Sequence, residues 1–196
     1  MVCKGSLPFG PRPVVQLGSL ARLLIIGQAP GRRVHESGVP WEDASGARLR
    51  EWIGIDEAAF YDPTRVALMP MGFCYPGASK TGGDRPPRPE CAPLWHGRLR
   101  EHMPKVGLTL LVGLHAQKAY LTALPARTLT ETVRNFERCP PGFLPLPHPS
   151  WRSTGWMRRN PWFGTEVLPK LRARVAAALG EAAVVGTGAV AETRRP

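Results

Sequence analysis

Several motifs that define common protein classes are missing from the 196-residue sequence. No Gly-x-Gly-x-x-Gly follows the first apolar strand, and no glycine-rich loop ends in Lys-Ser or Lys-Thr, so neither standard nucleotide-binding motif is present. The sequence has no secretory segment and no apolar run long enough to cross a bilayer. We therefore expect a soluble cytoplasmic protein that has no membrane partner.

Cysteine is scarce and widely spaced. The four cysteines form no Cys-x-x-Cys pair, which fits a reducing compartment better than a disulfide framework; they are Cys3, Cys74, Cys91 and Cys139. A zinc site is only a weak alternative, because its possible ligands are loosely spaced: Cys74, Cys91, His96 and His102.

Acidic residues are outnumbered, because 15 Asp and Glu stand against 26 Lys and Arg, for a formal net charge of +11. An excess of this size favours a polyanionic partner, with nucleic acid as the first candidate. A basic protein without such a partner is the simpler alternative, and the motifs must decide between the two.

One stretch organises the rest of the chain: the apolar run Leu23–Ile26, then Gly27-Gln28-Ala29-Pro30-Gly31 and two arginines. The run predicts a strand that is buried on both faces, as in parallel sheets. Similar runs at 66–69, 108–113 and 143–146 predict three more strands, each followed by a loop or helix. We therefore predict an α/β fold, a three-layer α/β/α sandwich with a central four-stranded parallel sheet.

The carboxyl ends of parallel strands meet at one edge of the sheet, so the loops that follow these strands should converge there. Those loops contain Gln28, Phe73, His115 and His148.

Helices are predicted between the strands from their caps and apolar spacing. Asp43 or Ser45 can begin a helix that ends at Gly54. Asn160 and Pro161 can begin the last helix, and Glu90 another. The apolar stripe of the helix at Glu90 would be Cys91, Leu94, Trp95 and Leu99. Residues 128–136 are compatible with either a hairpin or a short helix.

We expect one domain over 1–180, an extended arm over 1–22 and a disordered tail over 181–196.

His148 is the strongest single catalytic candidate. It lies between Pro147 and Pro149 at the end of the fourth predicted strand, which restrains its backbone. A lone histidine is more often structural, and no nucleophile elbow surrounds the nearby Ser150 that would indicate a hydrolytic triad. However, basic and aromatic side chains follow, which suits phosphate contacts combined with base stacking: Trp151, Arg152, Trp156, Arg158 and Arg159.

Four segments resemble motifs of the uracil-DNA glycosylase superfamily, and in particular of its iron–sulfur branch, family 4. Gly27-Gln28-Ala29-Pro30-Gly31 resembles the first motif, and His148-Pro149-Ser150 resembles the second, near the C-terminus. Between them, Gly38-Val39-Pro40-Trp41 and Phe73-Cys74-Tyr75-Pro76-Gly77 with Cys91 resemble two segments of that branch. The order and spacing of the motifs hold over most of the chain.

The resemblance implies an enzyme of base-excision repair that flips uracil out of DNA and hydrolyses its N-glycosidic bond, leaving an abasic site. It implies that His148 donates to the uracil O2 as charge develops there, beside the backbone amides of Gln28 and Ala29. The implied base contacts are Gly27, Trp41, Met71, Phe73 and His115. The implied DNA contacts are Arg32, Arg33, Lys80, Arg85, Ser150, Trp151, Arg152, Arg158 and Arg159, with Trp151 or Arg152 filling the gap in the base stack.

The resemblance also implies that the partner is single- or double-stranded DNA containing uracil, bound by a monomer at the nucleoid of a bacterial-type cell.

The branch carries an iron–sulfur cluster, but only Cys3, Cys74 and Cys91 match its four cysteines. A [4Fe–4S] cluster ordinarily takes four thiolates, so we expect no stable cluster and no other cofactor.

Two further departures from the family pattern affect the chemistry. Gln28-Ala29 offers no carboxylate where related enzymes orient or activate water; His35, Glu36 or Asp43 can substitute, or the oxocarbenium-like sugar needs little activation. The family's uracil-reading asparagine would align near Met69-Pro70, which has no side-chain amide.

These departures keep other interpretations open. The protein can be a glycosylase for another deaminated or mismatched base, such as hypoxanthine or xanthine, or a non-catalytic relative that binds damaged DNA. A nucleotide-binding α/β protein that acts on small molecules is a third interpretation, which the basic loops disfavour.

Overall fold

The computed structural model describes residues 3, 5–124 and 128–181. Four strands form one sheet in the order β2-β1-β3-β4, and every neighbouring pair is parallel. The strands are β1 (Leu23–Ile26), β2 (Val66–Leu68), β3 (Leu108–Val112) and β4 (Phe143–Leu146). The predicted α/β class and the four-stranded parallel sheet are therefore confirmed.

Helices follow or separate these strands, as the crossovers between parallel strands require. They are α1 (Arg32–Ser37), α2 (Ala44–Ile53), α3 (Glu57–Phe60), α4 (Cys91–Glu101), α5 (Leu114–Tyr120), α6 (Leu129–Arg134), α7 (Ser153–Arg159) and α8 (Leu168–Leu179), with a 3₁₀ turn at Phe136–Arg138 and a π-helical turn at Phe163–Val167. In the described ranges, no helix has the length and apolar character needed to cross a bilayer.

Alternate residues of β1 build the two cores. Leu23 and Ile25 belong to a cluster that includes buried side chains of α2 and α8, whereas Leu24 and Ile26 belong to a cluster on the opposite face with α4 and α5. All four side chains are fully buried because helices cover both faces of the sheet. Three layers result, as the sequence predicted.

The residues before β1 lie along the sheet as an extended segment. The Val14 amide donates to the Phe73 carbonyl at 2.8 Å, and Gln16 pairs with Leu68 in antiparallel orientation. Of the tail expected to be disordered, 182–196 lies outside the described residues, as do residues 1, 2 and 4 of the arm.

The predicted apolar stripe of α4 is partly wrong. Cys91 is buried, but Leu94 and Trp95 are each 43% exposed. The buried position belongs instead to His96, whose Nδ1 lies 2.6 Å from the Tyr120 hydroxyl and whose Nε2 lies 3.0 Å from the Pro70 carbonyl oxygen. Two polar partners therefore set the rotation of this helix.

The boundaries of two further helices could not be predicted from the sequence. Residues 128–136 are helical, because Thr128 and Glu131 form a reciprocal capping box at the start of α6. Asn160 does not cap the last helix as predicted; its side-chain amide donates to the Trp156 carbonyl at 2.8 Å and so ends α7. The buried face of α8 is formed by Leu168, Leu171 and Val175.

Replacing Leu24 with Ala tests the core beneath the sheet. The side chain is fully buried, so we expect its truncation to lower the free energy of unfolding by about 2–5 kcal/mol. Leu20→Ala is the matched control: this leucine is 47% exposed, and we expect a change within about 0.5 kcal/mol. Urea denaturation measures both, and equal losses would contradict this assignment of the core.

Candidate functional site

A cavity of about 560 Å³ lies where the loops after β1, β2 and β4 meet. This volume falls within the range of about 300–1,000 Å³ that small-molecule sites occupy. The parallel sheet accounts for the position, because the carboxyl ends of its strands share one edge. Its lining includes Gly27, Gln28, Ala29, Trp41, Asp43, Pro70, Asp84, His148, Ser150, Trp151 and Arg152.

The loop after β1 forms one wall of this cavity. The Gly27 carbonyl accepts from the Met71 amide at 2.9 Å, and the Gln28 carbonyl accepts from the Gly72 amide at 3.0 Å. These bonds fix the loop against the segment that follows β2. Gly31 then begins α1.

Trp41 covers Gly27 and contacts His148. A methyl group on Gly27 would lie 2.6 Å from the indole Cζ2, so only glycine permits this approach. Trp41 has a φ of 60°, a left-handed conformation that costs of order 1–3 kcal/mol in a non-glycine residue. Its ring stacks on His148 with a centroid distance of 5.8 Å and an interplanar angle of 27°.

His148 is held from behind by the loop after β3. Gly113, with a φ of 87°, lies directly against it, since a Cβ there would be 3.5 Å from the Cβ of His148. The buried side chain of Gln117 donates to the Leu146 carbonyl at 2.9 Å, two residues before the histidine. The backbone that presents the imidazole is therefore held by the loop after β3 and by Gln117 of α5.

Burial lowers the pKa of His148, and the nearby carboxylate of Asp43 opposes that shift. The net direction favours the neutral imidazole at physiological pH. A neutral ring has one N–H donor and one acceptor, so it can donate a hydrogen bond without carrying a charge into the cavity.

Arg48 stabilises the loop after His148, a role that the sequence analysis did not identify. Its guanidinium donates to the Ser150 carbonyl at 2.6 Å and to the Ser153 hydroxyl at 3.2 Å. Ser153 Oγ also donates to the Ser150 carbonyl at 2.6 Å. A side chain of α2 thus fixes the loop of Trp151 and Arg152, and no local sequence signal reveals a contact across 102 positions.

Two carboxylates line the cavity, those of Asp43 and Asp84. Asp43 was one of the three substitutes considered for the missing motif carboxylate. Another, His35, packs against Phe9 and Tyr75. Asp84 was missed, although it lies in the long Gly- and Pro-rich segment between β2 and α4, and long loops of this kind are often functional.

Three of the implied base contacts do not line this cavity. Met71 and Phe73 are buried in the cluster shared with α4, where Phe73 stacks on His96 at 5.7 Å. His115 lies on α5 beside a separate groove that includes Met71 and His96. The loops that contain Gln28 and His148 therefore meet at the cavity, as expected. Phe73 does not take part because its side chain points into the core, and His115 does not because it already belongs to α5.

The implied DNA contacts occupy the surface around the cavity mouth and beyond. Trp151 is 76% exposed, and the Arg152 guanidinium lies 5.2 Å from its ring centroid. Arg32 pairs with Glu36 at 2.8 Å, and both side chains are exposed. The remaining implied cations are exposed as well: Arg33, Lys80, Arg85, Arg158 and Arg159.

Three of the four cysteines lie near one another, and the absence of a stable iron–sulfur cluster stays a prediction. Cys3, Cys74 and Cys91 lie near one another, since the charges of Cys3 and Cys74 contribute to raising the pKa of Cys91, after its burial. The Cys91 sulfur accepts from the Phe73 amide at 3.4 Å. Cys139 interacts instead with Arg174. Three thiols fall short of the four that the cluster takes, and the described residues contain no group of His, Cys, Asp or Glu arranged to hold a metal ion.

The fold and this cavity define an α/β protein with a site at the carboxyl edge of a parallel sheet. The family model of the uracil DNA glycosylase superfamily matches residues 15–172. The chain therefore belongs to the uracil DNA glycosylase superfamily, and DNA is the partner on which that family acts.

Gly27→Ala tests the contact between Trp41 and the loop after β1. The added methyl group must displace the indole, so we expect a loss of about 1–3 kcal/mol in the free energy of unfolding. Gly97→Ala is the control: nothing lies within 4 Å of a Cβ there, and alanine favours the helical position by up to about 1 kcal/mol. If both variants unfold at the same denaturant concentration, the packing of Trp41 described above is wrong.

Proposed function

We propose that this protein excises uracil from DNA by hydrolysing the N-glycosidic bond, leaving an abasic site. The observation that carries the proposal is that Gln28 and Ala29, in the loop after the first strand, line one cavity with His148, in the loop after the last strand. These are the positions at which the sequence resembles the two glycosylase motifs, and family membership supports the same class of reaction.

The environment of His148 suits the charge that develops in this reaction. As the glycosidic bond breaks, the electron pair passes to the uracil ring and negative charge accumulates on O2. A neutral imidazole that donates to O2 stabilises this charge more strongly than it stabilises the intact nucleotide. Burial, which lowers the pKa of His148, keeps the ring in this neutral form.

Trp41 supplies an apolar surface beside the imidazole. Its indole is packed on Gly27 and on His148, so a flipped base can lie against a ring whose position is already fixed. A preorganised aromatic surface reduces the ordering cost of binding. No cofactor enters this proposal.

DNA binding would rest on the exposed cations around the cavity and on the net charge of +11. Extrusion of a nucleotide from a duplex costs a few kcal/mol, and a side chain that fills the gap offsets part of that cost. Trp151 suits this role because it is exposed at the mouth of the cavity and lies beside the Arg152 guanidinium.

The first test is release of uracil from single- and double-stranded oligonucleotides, followed by alkaline cleavage at the abasic site. We expect His148→Ala to lower the rate of release by about 10²–10³-fold, the cost of one donor to a developing oxyanion. DNA affinity should remain within a few-fold of the wild type. His102→Ala, at an exposed histidine at the end of α4, should leave the rate unchanged.

Two outcomes would contradict the proposal. Full activity of the His148 variant would place the electrophile elsewhere. Tight, salt-sensitive binding of uracil-containing DNA without base release by the wild-type protein would indicate a non-catalytic binder of damaged DNA.

Trp151→Ala separates flipping from chemistry. If the indole fills the gap in the stack, release from the duplex should fall about tenfold more than release from the single strand, where no pairing opposes extrusion. Trp95→Ala is a close control, because Trp95 is also exposed and also has an arginine, Arg98, at 5.3 Å from its ring. An equal loss on both substrates would argue against a wedge.

A glycosylase for another deaminated or mismatched base is the second candidate. It is favoured by Pro70, which lines the cavity near the position where the family's uracil-reading asparagine would align. Without a side-chain amide there, the site discriminates less between uracil and other lactam bases. Release from oligonucleotides that contain hypoxanthine or xanthine, compared with uracil, distinguishes the two candidates.

A further inference from the structure

A short hairpin formed by residues 77–85 extends across the cavity. Ala78 pairs with Asp84 in antiparallel orientation, and the Ser79 amide donates to the Gly83 carbonyl at 2.8 Å. The tip reaches the loop after β4, since a Cβ on Gly83 would lie 3.8 Å from the Arg152 guanidinium. The hairpin therefore spans from the β2 side of the cavity to the side of His148.

This hairpin places the Asp84 carboxylate over the loop after β1. Its Oδ2 lies 3.4 Å from the position that a Cβ of Gly31 would occupy. The hydroxyl of the buried Tyr75 lies close to the same carboxylate and interacts with it. Asp84 thus lines the cavity beside the motif that lacks the expected acidic residue.

We propose that Asp84 is the catalytic carboxylate of this site, which faces the sugar and accepts a proton from the attacking water. The inference rests on the proposed glycosylase function. The bond between C1′ and the base nitrogen breaks, and its electron pair leaves with the base. The water oxygen bonds to C1′, and one water proton passes to Asp84, which returns it to solvent while the base anion takes a proton from solvent.

Of the other two nearby carboxylates, one caps a helix and the other lies outside the cavity. Asp43 caps α2, where its Oδ1 accepts from the Gly46 amide at 2.8 Å. Glu36 pairs with Arg32 on the exposed face of α1 and does not line the cavity. Asp84 is therefore the better placed of the three to serve as a base.

Partial burial raises the pKa of Asp84, with a smaller contribution from Asp43, while the hydrogen bond from Tyr75 opposes the shift. A carboxylate with a raised pKa is a stronger base than an ordinary aspartate. Among the described residues, the titratable groups that act on this carboxylate are Tyr75 and Asp43. Arg152 lies near the tip of the hairpin, and Arg32 and Glu36 act on Tyr75.

Asp84→Asn keeps the shape of the side chain and removes the base. We expect release of uracil to fall by about 10²–10⁴-fold while binding of uracil-containing DNA is retained. Asp62→Asn, at a partly exposed aspartate outside the cavity, should leave release unchanged. Release at the wild-type rate by the Asp84 variant would overturn the assignment while leaving the proposed function intact.

A second measurement does not depend on catalysis. DNA carrying a cationic pyrrolidine in place of the sugar mimics the positive transition state, and tetrahydrofuran is its neutral counterpart. The wild type should bind the cationic form more tightly, and Asp84→Asn should lose this preference. If the preference is lost but the wild type releases no uracil, the uracil assignment fails and the role of Asp84 stands; an unchanged preference overturns that role.

Tyr75→Phe tests the same carboxylate through pH. Loss of the hydroxyl removes a bond that lowers the pKa of Asp84, so that pKa should rise. Because the base acts only when ionised, release falls as pH drops through its pKa, and the acidic limb of the rate profile should move to higher pH. An acidic limb that stays in place in the Tyr75 variant would contradict the coupling.

Discussion

The pairing of β1 with β2 on one side and β3 on the other is the interaction on which the site depends. Leu24 pairs with Ala67 and with Thr109, so the strand ends are held at a fixed register. Since β4 continues the same parallel order, Gly27 and His148 emerge at the same edge although 121 positions separate them. The buried apolar side chains on both faces stabilise this register, because a slip of one residue would exchange the two faces.

Within that frame, the absence of side chains at two glycines determines the position of the central aromatic ring. Gly27 leaves room for the indole of Trp41, and Gly46 leaves room for its backbone carbonyl, which a Cβ would approach to 1.8 Å. The left-handed backbone of Trp41 is unfavourable by itself, so the packing of its ring must offset the strain. Strained residues that the surrounding structure fixes in this way are common at functional sites.

Structural features that depend on local sequence pattern could be predicted, whereas features that depend on long-range contacts could not. The strands Leu23–Ile26 and Phe143–Leu146 follow from apolar runs, and the cap at Asp43 follows from its side chain. The exposed side of α4 was not predictable, because His96 is held by Tyr120 and by the Pro70 carbonyl, which lie far away in the sequence. Asp84 was missed for the same reason, since only the fold of the hairpin brings it against the loop after β1.

Charges of both signs lie at the cavity. Asp43 and Asp84 line it together with Arg152, and further exposed cations, such as Arg158 and Arg159, lie on the surface. Carboxylates repel the phosphates of bound DNA, but they favour the positive sugar that exists only as the glycosidic bond breaks. At physiological ionic strength, salt largely screens the attraction between exposed charges that are more than about 8 Å apart. Groups that bound DNA covers are screened much less. In the proposed mechanism, surface cations contribute to binding of the intact DNA, whereas the Asp84 carboxylate acts on the transition state; catalysis requires this difference.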